Sequence, residues 1–354
     1  MYNRVLVFNR YGDYPIEAEC KVSSMEWNDT DITEAKIVFP LSFVDSNEEI
    51  LNVGNIVYIE TEDVAEWAGV LMLPITWGDE GVEVTAKNPN YYLARRNVVD
   101  VLDKSHTAGA AALIMINDAK KRGFMPIEAK PQNVDASGEH FKDFVREELT
   151  VLENLRRLAR AGGFEFWIEP VIERGRIHFD FHWQKRKRHR GAPIEIGGNA
   201  AWGSPAVILS GDVITVWHVT ETEKQVGAGS RVLLEAEEAK ENYGHWEGNL
   251  SVPRINSGKQ RSGVFRRAVQ ENGRPETRYM VQVEIGAGNK FILSEEIKPG
   301  HIHWLYGNKY GITDGVRGTQ ERVRVLHVEY RENQGYLTVV LQKWDGVERK
   351  EWIP

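Results

Sequence analysis

The chain has 354 residues, of which 42% are apolar and 27% are charged, and its formal net charge is −8. This composition predicts a soluble globular protein of about two to four domains, and the negative charge argues against nucleic-acid binding over the whole surface. The single cysteine, Cys20, excludes an internal disulfide and a thiolate metal cluster. No apolar stretch approaches the roughly 20 residues of a membrane span, which predicts assembly in the cytosol.

Residues 1–97 predict β structure throughout, because short apolar runs alternate with polar residues and are separated by turn residues. The run at 56–60 and the run at 82–86 both alternate with period two. Asp79–Gly81 predicts a tight turn. Pro40 interrupts an apolar run, which indicates an edge strand or a bulge. We assign this segment to a first β-barrel domain.

The pattern changes after residue 97. Ser105 or Thr107 is placed to cap a helix that ends near Arg122. Thr150 and Glu153 have the spacing of a capping box at the start of a second helix. A hairpin follows, with its turn at 173–175. Residues 98–200 are therefore predicted to form an α+β insertion.

The remaining chain is predicted to alternate between strands and helices. Residues 201–220 are predicted to return as strands to the barrel region, and residues 221–295 to form a second insertion. That insertion is predicted to contain helices at Ser230–Asn242 and Ser257–Asn272. Residues 296–354 are predicted to form a second β-barrel domain.

One β pattern occurs twice. In each copy a glycine turn, at Gly54 or Gly300, precedes a short apolar strand. Each copy continues with a longer strand, a polar turn that ends in glycine, and an alternating return strand. Residues 69–81 align with residues 323–335 without a gap, which matches Gly81 with Gly335. The predicted fold class is mainly β, with two related small barrels and inserted helix–strand segments. The turn glycines and Gly69 are the predicted structural residues of the barrels.

Several side chains have types that also occur in metal or catalytic sites. His178, Asp180 and His182 share one face of a predicted strand, a donor set that suits a metal. We interpret them instead as the polar face of that strand, because a real triad usually takes at least one ligand from elsewhere in the chain. His301 and His303 have the same limitation, and neither group matches a zinc spacing. Neither a catalytic residue nor a cofactor or metal site is predicted. Cys20 is interpreted as a buried or semi-buried packing residue.

The basic run KRKRHR is the strongest positive cluster of the sequence. Its cations are Lys185, Arg186, Lys187, Arg188 and Arg190. It is interpreted as a solvated loop and is a candidate interface with an acidic neighbour. The sequence contains no motif for specific nucleic-acid binding. A carbohydrate platform is a second interpretation of the eleven tryptophans, although Trp67, Trp77, Trp217 and Trp304 lie in apolar strand-like runs that favour packing.

The order of motifs in the C-terminal half resembles the hub proteins at the tip of phage tails. This family includes baseplate hubs and the base of type VI secretion spikes. Tyr243–Gly244 matches the family's tyrosine–glycine segment, and Lys298–Gly300 matches its lysine–proline–glycine turn. Val328–Tyr330 matches the strand near the end, and the stretch 152–170 resembles the helix–strand insertion.

The resemblance implies a non-enzymatic structural protein of the virion tail, assembled in the host cytoplasm. It implies a homotrimer whose six barrels meet a sixfold tail tube while the other face presents threefold symmetry. The implied partners are a tail-tube or distal tail protein, the tape-measure protein, and tip, spike or fibre proteins. Two alternatives stay open from the residues: a β-rich carbohydrate-active or cell-wall hydrolase, and a distal-tail or fibre-connector protein.

Overall fold

The computed structural model describes residues 3–62, 64–99, 105–138, 140–141, 145, 148–185, 192–210, 213–222, 231–253, 276–285, 293–307 and 319–344. Within these residues the chain is mainly β, with one 13-stranded sheet, smaller sheets and short helices. The predicted fold class is confirmed. No helix in this part of the chain has the length and apolar composition to cross a bilayer.

The N-terminal unit contains the first seven strands of the large sheet. They are β1 (Asn3–Phe8), β2 (Ile16–Ala18), β3 (Lys21–Trp27), β4 (Glu34–Phe39), β5 (Ile56–Thr61), β6 (Trp67–Gly78) and β7 (Gly81–Lys87). Their order is β3-β4-β7-β6-β5-β1-β2, and every described pair is antiparallel. Helix α1 (Leu41–Ser46) and a 3-10 turn (Glu48–Leu51) connect β4 to β5, and α2 (Asn90–Ala94) follows β7.

The first insertion comes next in the chain. Its helices are α3 (Ala108–Lys121) and α4 (Val151–Gly162), and its strands are β8 (His106–Thr107), β9 (Ile127–Glu128), β10 (His140–Phe141), β11 (Glu165–Glu173) and β12 (Arg176–Gln184). Thr107 caps α3 by accepting from the Ala110 amide. Thr150 and Glu153 form the predicted capping box of α4, and Gly163 ends that helix with φ +70°. Both predicted helix starts are confirmed.

The C-terminal unit contains six strands. They are β13 (Ile194–Glu195), β14 (Ala200–Ser210), β18 (Glu276–Glu284), β19 (Ile302–Gly307), β20 (Thr319–Arg331) and β21 (Tyr336–Lys343). Their order is β14-β18-β21-β20-β19-β13. A bridge between Ile196 and Ala200 joins the end of β13 to the start of β14. The series of strand pairings in this unit therefore begins at β14 and leads back to β14. A four-residue helix, Leu293–Glu296, precedes β19.

The second insertion lies between β14 and β18. It contains β15 (Val216–Thr222), β16 (Arg231–Glu235), α5 (Glu237–Tyr243) and β17 (Glu247–Pro253), and its three strands form a separate sheet in the order β16-β15-β17.

The two units have the same strand order. Strands β3, β4, β7, β6 and β5 correspond in order to β14, β18, β21, β20 and β19, and neighbouring strands are antiparallel in both sets. The sixth positions differ, because β1 is antiparallel to β5 whereas β13 is parallel to β19. The repeat predicted from the turns therefore extends to whole strands.

Strands β1 and β5 are buried on both faces. Val5 and Val7 face the large core that the two units share, and Leu6 and Phe8 face a second core that contains α3, α4, β11 and β12. Alternate residues of one strand thus belong to two cores. This arrangement seats the first insertion on the outside of the N-terminal unit.

Two local predictions are wrong. Residues 231–235 form β16, where the sequence predicts a helix starting at Ser230, because their backbone pairs with β15. Helix α5 begins only at Glu237. Strand β4 is a central strand that ends at Phe39, and Pro40 precedes α1 instead of interrupting an edge strand. The helix predicted at Ser257–Asn272 lies outside the described residues. The division of the chain into five domain segments stays a prediction.

Candidate assembly site

The predicted turn glycines make equivalent hydrogen bonds in the two units. The Gly54 amide donates to the Leu71 carbonyl at 2.9 Å, and the Gly300 amide donates to the Val325 carbonyl at 2.8 Å. Their φ angles are +96° and +86°, in the region that favours glycine. In each turn the carbonyl of the residue after the glycine accepts a hydrogen bond from the backbone amide of the same strand residue. The distance is 2.8 Å for the Leu71 amide and 2.9 Å for the Val325 amide. Both turns therefore make the same pair of hydrogen bonds to a strand of their own unit.

The other predicted glycines differ in how strictly they are required. A Cβ atom on Gly69 would lie 2.3 Å from the Lys87 carbonyl oxygen, and one on Gly81 would lie 2.3 Å from the Phe39 carbonyl oxygen. Gly81 also has φ +142°. A Cβ atom on Gly335 would meet nothing within 4 Å. The close approaches of Gly69 and Gly81 therefore have no counterpart at Gly335.

Strands β20 and β3 join the two units. Their ladder pairs Val328 with Trp27, Glu329 with Glu26, Tyr330 with Met25, and Arg331 with Ser24. Tyr330 and Met25 are buried, with exposed fractions of 4% and 0%. Burial raises the pKa of the Glu26 carboxyl, the facing Glu329 raises it further, and His327 opposes both effects. One face of the junction ladder is therefore buried, while the other face carries Glu26 opposite Glu329, which forms an ion pair with Arg331.

The loop Asn28–Asp31 after β3, here called the junction loop, is held by three parts of the chain. Arg156 on α4 donates to the Thr30 carbonyl from Nε at 2.8 Å and from Nη2 at 2.6 Å. The Asn90 side chain donates to the Asp29 carbonyl at 3.0 Å. A Cβ atom on Gly300 would lie 3.0 Å from Asp29 Oδ2, so this carboxylate lies against the turn of the C-terminal unit.

Charged side chains from several segments lie close together around the junction loop, and they affect one another's ionisation. Arg324 Nη2 on β20 lies 2.9 Å from Glu165 Oε1 on β11, and their side chains are 20% and 13% exposed. Burial raises the pKa of Asp29 to about 7; Arg324 opposes the increase and Glu169 adds to it. No spacing in the sequence points to these residues, because their contacts join three distant segments.

A polar cluster on the first insertion has the composition of a metal site. Donor atoms of Glu128, His178 and Asp180 lie within 4.8 Å of one another. The Lys130 ammonium, however, lies 2.8 Å from Asp180 Oδ1 and 3.4 Å from His178 Nε2. The lysine therefore supplies the positive charge that these donors would otherwise take from a cation.

The two histidines of the predicted donor set have different partners. His182 Nε2 lies 3.2 Å from Glu169 Oε2, and its ring stacks on Trp167 at a centroid distance of 5.0 Å. The arrangement fits the interpretation of these side chains as the polar face of a strand.

His303 has a packing role in the C-terminal unit. It is 1% exposed, with Nδ1 2.9 Å from the Ala192 carbonyl and Nε2 3.0 Å from the Glu296 carbonyl. His301 Nδ1 lies 2.9 Å from the same Glu296 carbonyl. Backbone carbonyls occupy both ring nitrogens of His303, so this ring links two connecting segments.

The remaining predicted residues fall in several environments. Trp67 and Trp217 are buried at 3% and 2% exposure, as predicted, whereas packing within the chain is a wrong explanation for Trp77, which is 59% exposed. Trp304 is 37% exposed, and the Arg322 guanidinium lies 4.9 Å from its ring centroid. In the basic run Lys185 is exposed, and Arg186, Lys187, Arg188 and Arg190 lie outside the described residues.

A surface groove between the N-terminal unit and the β11–β12 hairpin bears on the hydrolase alternative. It contains the carboxylates Glu17 and Glu60, but the Arg4 guanidinium lies between them at 3.4 and 3.5 Å. No tryptophan is among the described residues that line it. Two carboxylates bound to one guanidinium are poorly placed for acid–base work on a glycosidic bond.

Comparison with known proteins identifies the fold. The chain matches no protein-family model and no curated protein. Among solved structures it is similar to the tail protein from Neisseria meningitidis MC58, with a TM-score of 0.60, 12% identity and 100% of each chain covered. It is similar to the 43 kDa tail protein of prophage MuSo2 from Shewanella oneidensis, with a TM-score of 0.56, 12% identity, and 96% of this chain and 98% of that chain covered.

A type VI secretion component has the same fold. The E. coli c3393 protein, described as structurally similar to the T4 tail proteins gp27 and gp5, matches with a TM-score of 0.51 and 12% identity over 94% of this chain and 76% of that chain. The chain therefore has the fold of phage tail proteins, and the fold resemblance predicted from the sequence is confirmed.

Proposed function

We propose that this chain is a structural tail-hub protein of a phage or prophage virion. It closes the tail tube, adapts the sixfold symmetry of the tube to a threefold tip, and anchors tip or baseplate proteins. This role depends on the burial of surfaces between proteins and not on catalysis. The protein belongs to the virion tail and is assembled in the host cytoplasm.

The observation that carries the proposal is the duplication of the sheet. Two units with the same strand order and equivalent turn hydrogen bonds lie in one chain, joined by a β ladder. Three such chains provide six similar units around an axis while the insertions repeat only three times. That combination is what a sixfold-to-threefold adaptor requires, and a single-barrel distal-tail or fibre-connector protein would lack it.

The proposed partners follow from this geometry. One face of a homotrimer meets the tail-tube or distal tail protein and the end of the tape-measure protein, and the opposite face meets tip, spike or fibre proteins. Lys185 is exposed next to the insertion. The basic run that begins there is proposed to meet an acidic neighbour in the assembly.

The test is a reconstitution of the full chain with the tail-tube protein of the same phage. Electron microscopy of the mixture is expected to show tubes capped by a three-copy assembly with six similar lobes towards the tube. Six copies per cap, or tubes that remain open, would contradict the hub function. A matched chain with Arg186, Lys187, Arg188 and Arg190 changed to Glu tests the basic run separately. Assembly that survives this change would show that the run has no role in it.

A further inference from the structure

We propose that copies of this chain join through their sheet edges, with the outer half of β6 in one copy pairing with β14 of the next. The template is the junction inside the chain, where β20 pairs with β3. The inference deepens the proposed hub function and rests on it only for the number of copies in the ring.

Strand β6 occupies in the N-terminal unit the place of β20 in the C-terminal unit. The equivalent pairs with the return strands are Leu71–Ala86 and Val325–Leu341, followed by Ile75–Val84 and Val328–Val339. Both strands have a register shift between these two pairs. By this register Ile75 corresponds to Val328, and two residues later Trp77 corresponds to Tyr330.

Strand β14 occupies in the C-terminal unit the place of β3 in the N-terminal unit. The equivalent pairs with the neighbouring strand are Val22–Ile37 and Trp202–Val281, followed by Met25–Ala35 and Val207–Tyr279. Again both strands have a register shift between the two pairs. Val207 therefore corresponds to Met25, and Leu209 corresponds to Trp27.

Both edges lack a ladder partner within the described residues. β6 pairs with β5 from Trp67 to Val70 and with the Gly54 turn at Leu71, and from Met72 to Gly78 its described ladder partner is β7 alone. β14 ends the order of the large sheet and pairs with β18. The unused N–H and C=O groups of such edges are templates for pairing with another strand.

The side chains at these edges are apolar and exposed, unlike their counterparts at the junction. Trp77 is 59% exposed, whereas Tyr330 is 4% exposed. Leu209 is 70% exposed, whereas its counterpart Trp27 is half-buried against the core. Exposed apolar residues at one position that the junction buries and one that it half-buries indicate that a second copy covers them.

The template sets the register between copies. The proposed pairs are Ile75–Leu209, Thr76–Ile208, Trp77–Val207 and Gly78–Ala206. The contact is head to tail, because different edges of the two copies meet, and such a contact generates a ring when its rotation closes.

Disulfide crosslinking tests this register in the full chain. In a Cys20→Ser background, Thr76→Cys combined with Ile208→Cys is expected to give covalent dimers and larger species on oxidation, because directly paired strand residues have Cβ atoms roughly 5 Å apart. Thr76→Cys with Ala201→Cys is the matched control, because Ala201 lies on β14 beyond the proposed ladder. Oligomers that crosslink through the control pair, or through neither pair, overturn the register.

A charge at the interface provides a second readout. Leu209→Lys is expected to weaken self-association about tenfold or more, since one buried leucine contributes more than the about 1.4 kcal/mol that a tenfold change represents. Tyr14→Lys is the control, because Tyr14 is 80% exposed in the connection between β1 and β2. Sedimentation velocity measures both variants, and circular dichroism checks that they fold.

The outcomes separate this inference from the hub function. In one outcome a three-copy assembly caps tubes, the Thr76→Cys, Ile208→Cys chain forms no intermolecular disulfide, and Leu209→Lys leaves self-association unchanged. That result overturns the edge pairing alone. A chain that stays monomeric both in isolation and with the tube protein overturns both proposals.

Discussion

Arg324 and Glu165 form an ion pair of 2.9 Å between the C-terminal unit and the first insertion, and both side chains are mostly buried. The pair lies beside the junction loop, where Asp29 meets Gly300. The relative position of three parts of the chain therefore depends on a small number of enclosed charges. A solvent-exposed pair would contribute far less.

Removal of the arginine from this pair tests that dependence. Arg324→Leu is expected to lower the free energy of unfolding by about 3 kcal/mol, because it removes the guanidinium that lies against the mostly buried Glu165 carboxylate. Lys21→Ala is the control, since the pair between Lys21 and Glu332 is 2.9 Å long but 51% and 30% exposed. The control is expected to cost less than about 1 kcal/mol in urea unfolding. Equal losses would show that burial adds nothing to the Arg324 pair.

The stability of the chain is expected to depend on pH through Asp29. Its pKa rises from 3.8 to about 7 on folding, so the folded chain holds an extra proton between these pH values. The stabilisation from this proton is full below about pH 4 and is lost as pH rises through about 7. It amounts to at most about 4 kcal/mol, since each pH unit corresponds to about 1.4 kcal/mol.

Urea unfolding of the wild type and of Asp29→Asn measures this effect. The free energy of unfolding of the wild type, minus that of the variant, is expected to fall between pH 4 and pH 7. Asp79→Asn is the control, because Asp79 is exposed at the tip of the β6–β7 hairpin. A difference that stays constant over this range for Asp29→Asn would contradict the assignment.

Gly81 and Gly335, which the gap-free sequence alignment matches, provide a contrasting pair. Gly81→Ala is expected to lower the free energy of unfolding by more than about 2 kcal/mol, because it places a Cβ atom against the Phe39 carbonyl at φ +142°. Gly335→Ala is expected to change it by less than about 0.5 kcal/mol, since the space around that position is open. Thermal unfolding of both variants tests the contrast, which a similar loss in the two would disprove.

The thiol of Cys20 is expected to react slowly. Burial raises its pKa to about 12, so the thiolate that reacts with alkylating agents is scarce at pH 8. Labelling with iodoacetamide, followed by mass spectrometry, is expected to be complete only after unfolding in urea. A chain that carries both Cys20→Ser and Tyr14→Cys supplies an exposed thiol as the control. Comparable labelling rates in the two folded chains would contradict the raised pKa of the Cys20 thiol.

The features that the sequence predicts well are those that depend on neighbouring residues. Thr150 and Glu153 are three residues apart, and their hydrogen bonds form within one helical turn. The turns at Gly54 and Gly300 follow from glycine at φ values that other residues avoid. The duplication was detectable because each copy carries these local signals in the same order.

A local pattern misleads where pairing with the preceding strand decides the structure. Residues 231–235 lie in a stretch that suits a helix by composition, yet β15 provides a ladder for them and they form β16. Pairing with a partner earlier in the chain overrides the weak preference of a short segment.

The sequence alone thus determined a mainly β chain with a repeated unit and two capped helices, because periodicity, glycine turns and capping boxes act within a few residues. Only the tertiary structure decided that β20 joins β3, that Arg324 meets Glu165, and that Trp77 stays exposed where Tyr330 is buried. These contacts depend on how sheets and insertions pack against one another, and burial and charge pairing between distant segments leave no mark in the spacing of residues along the chain.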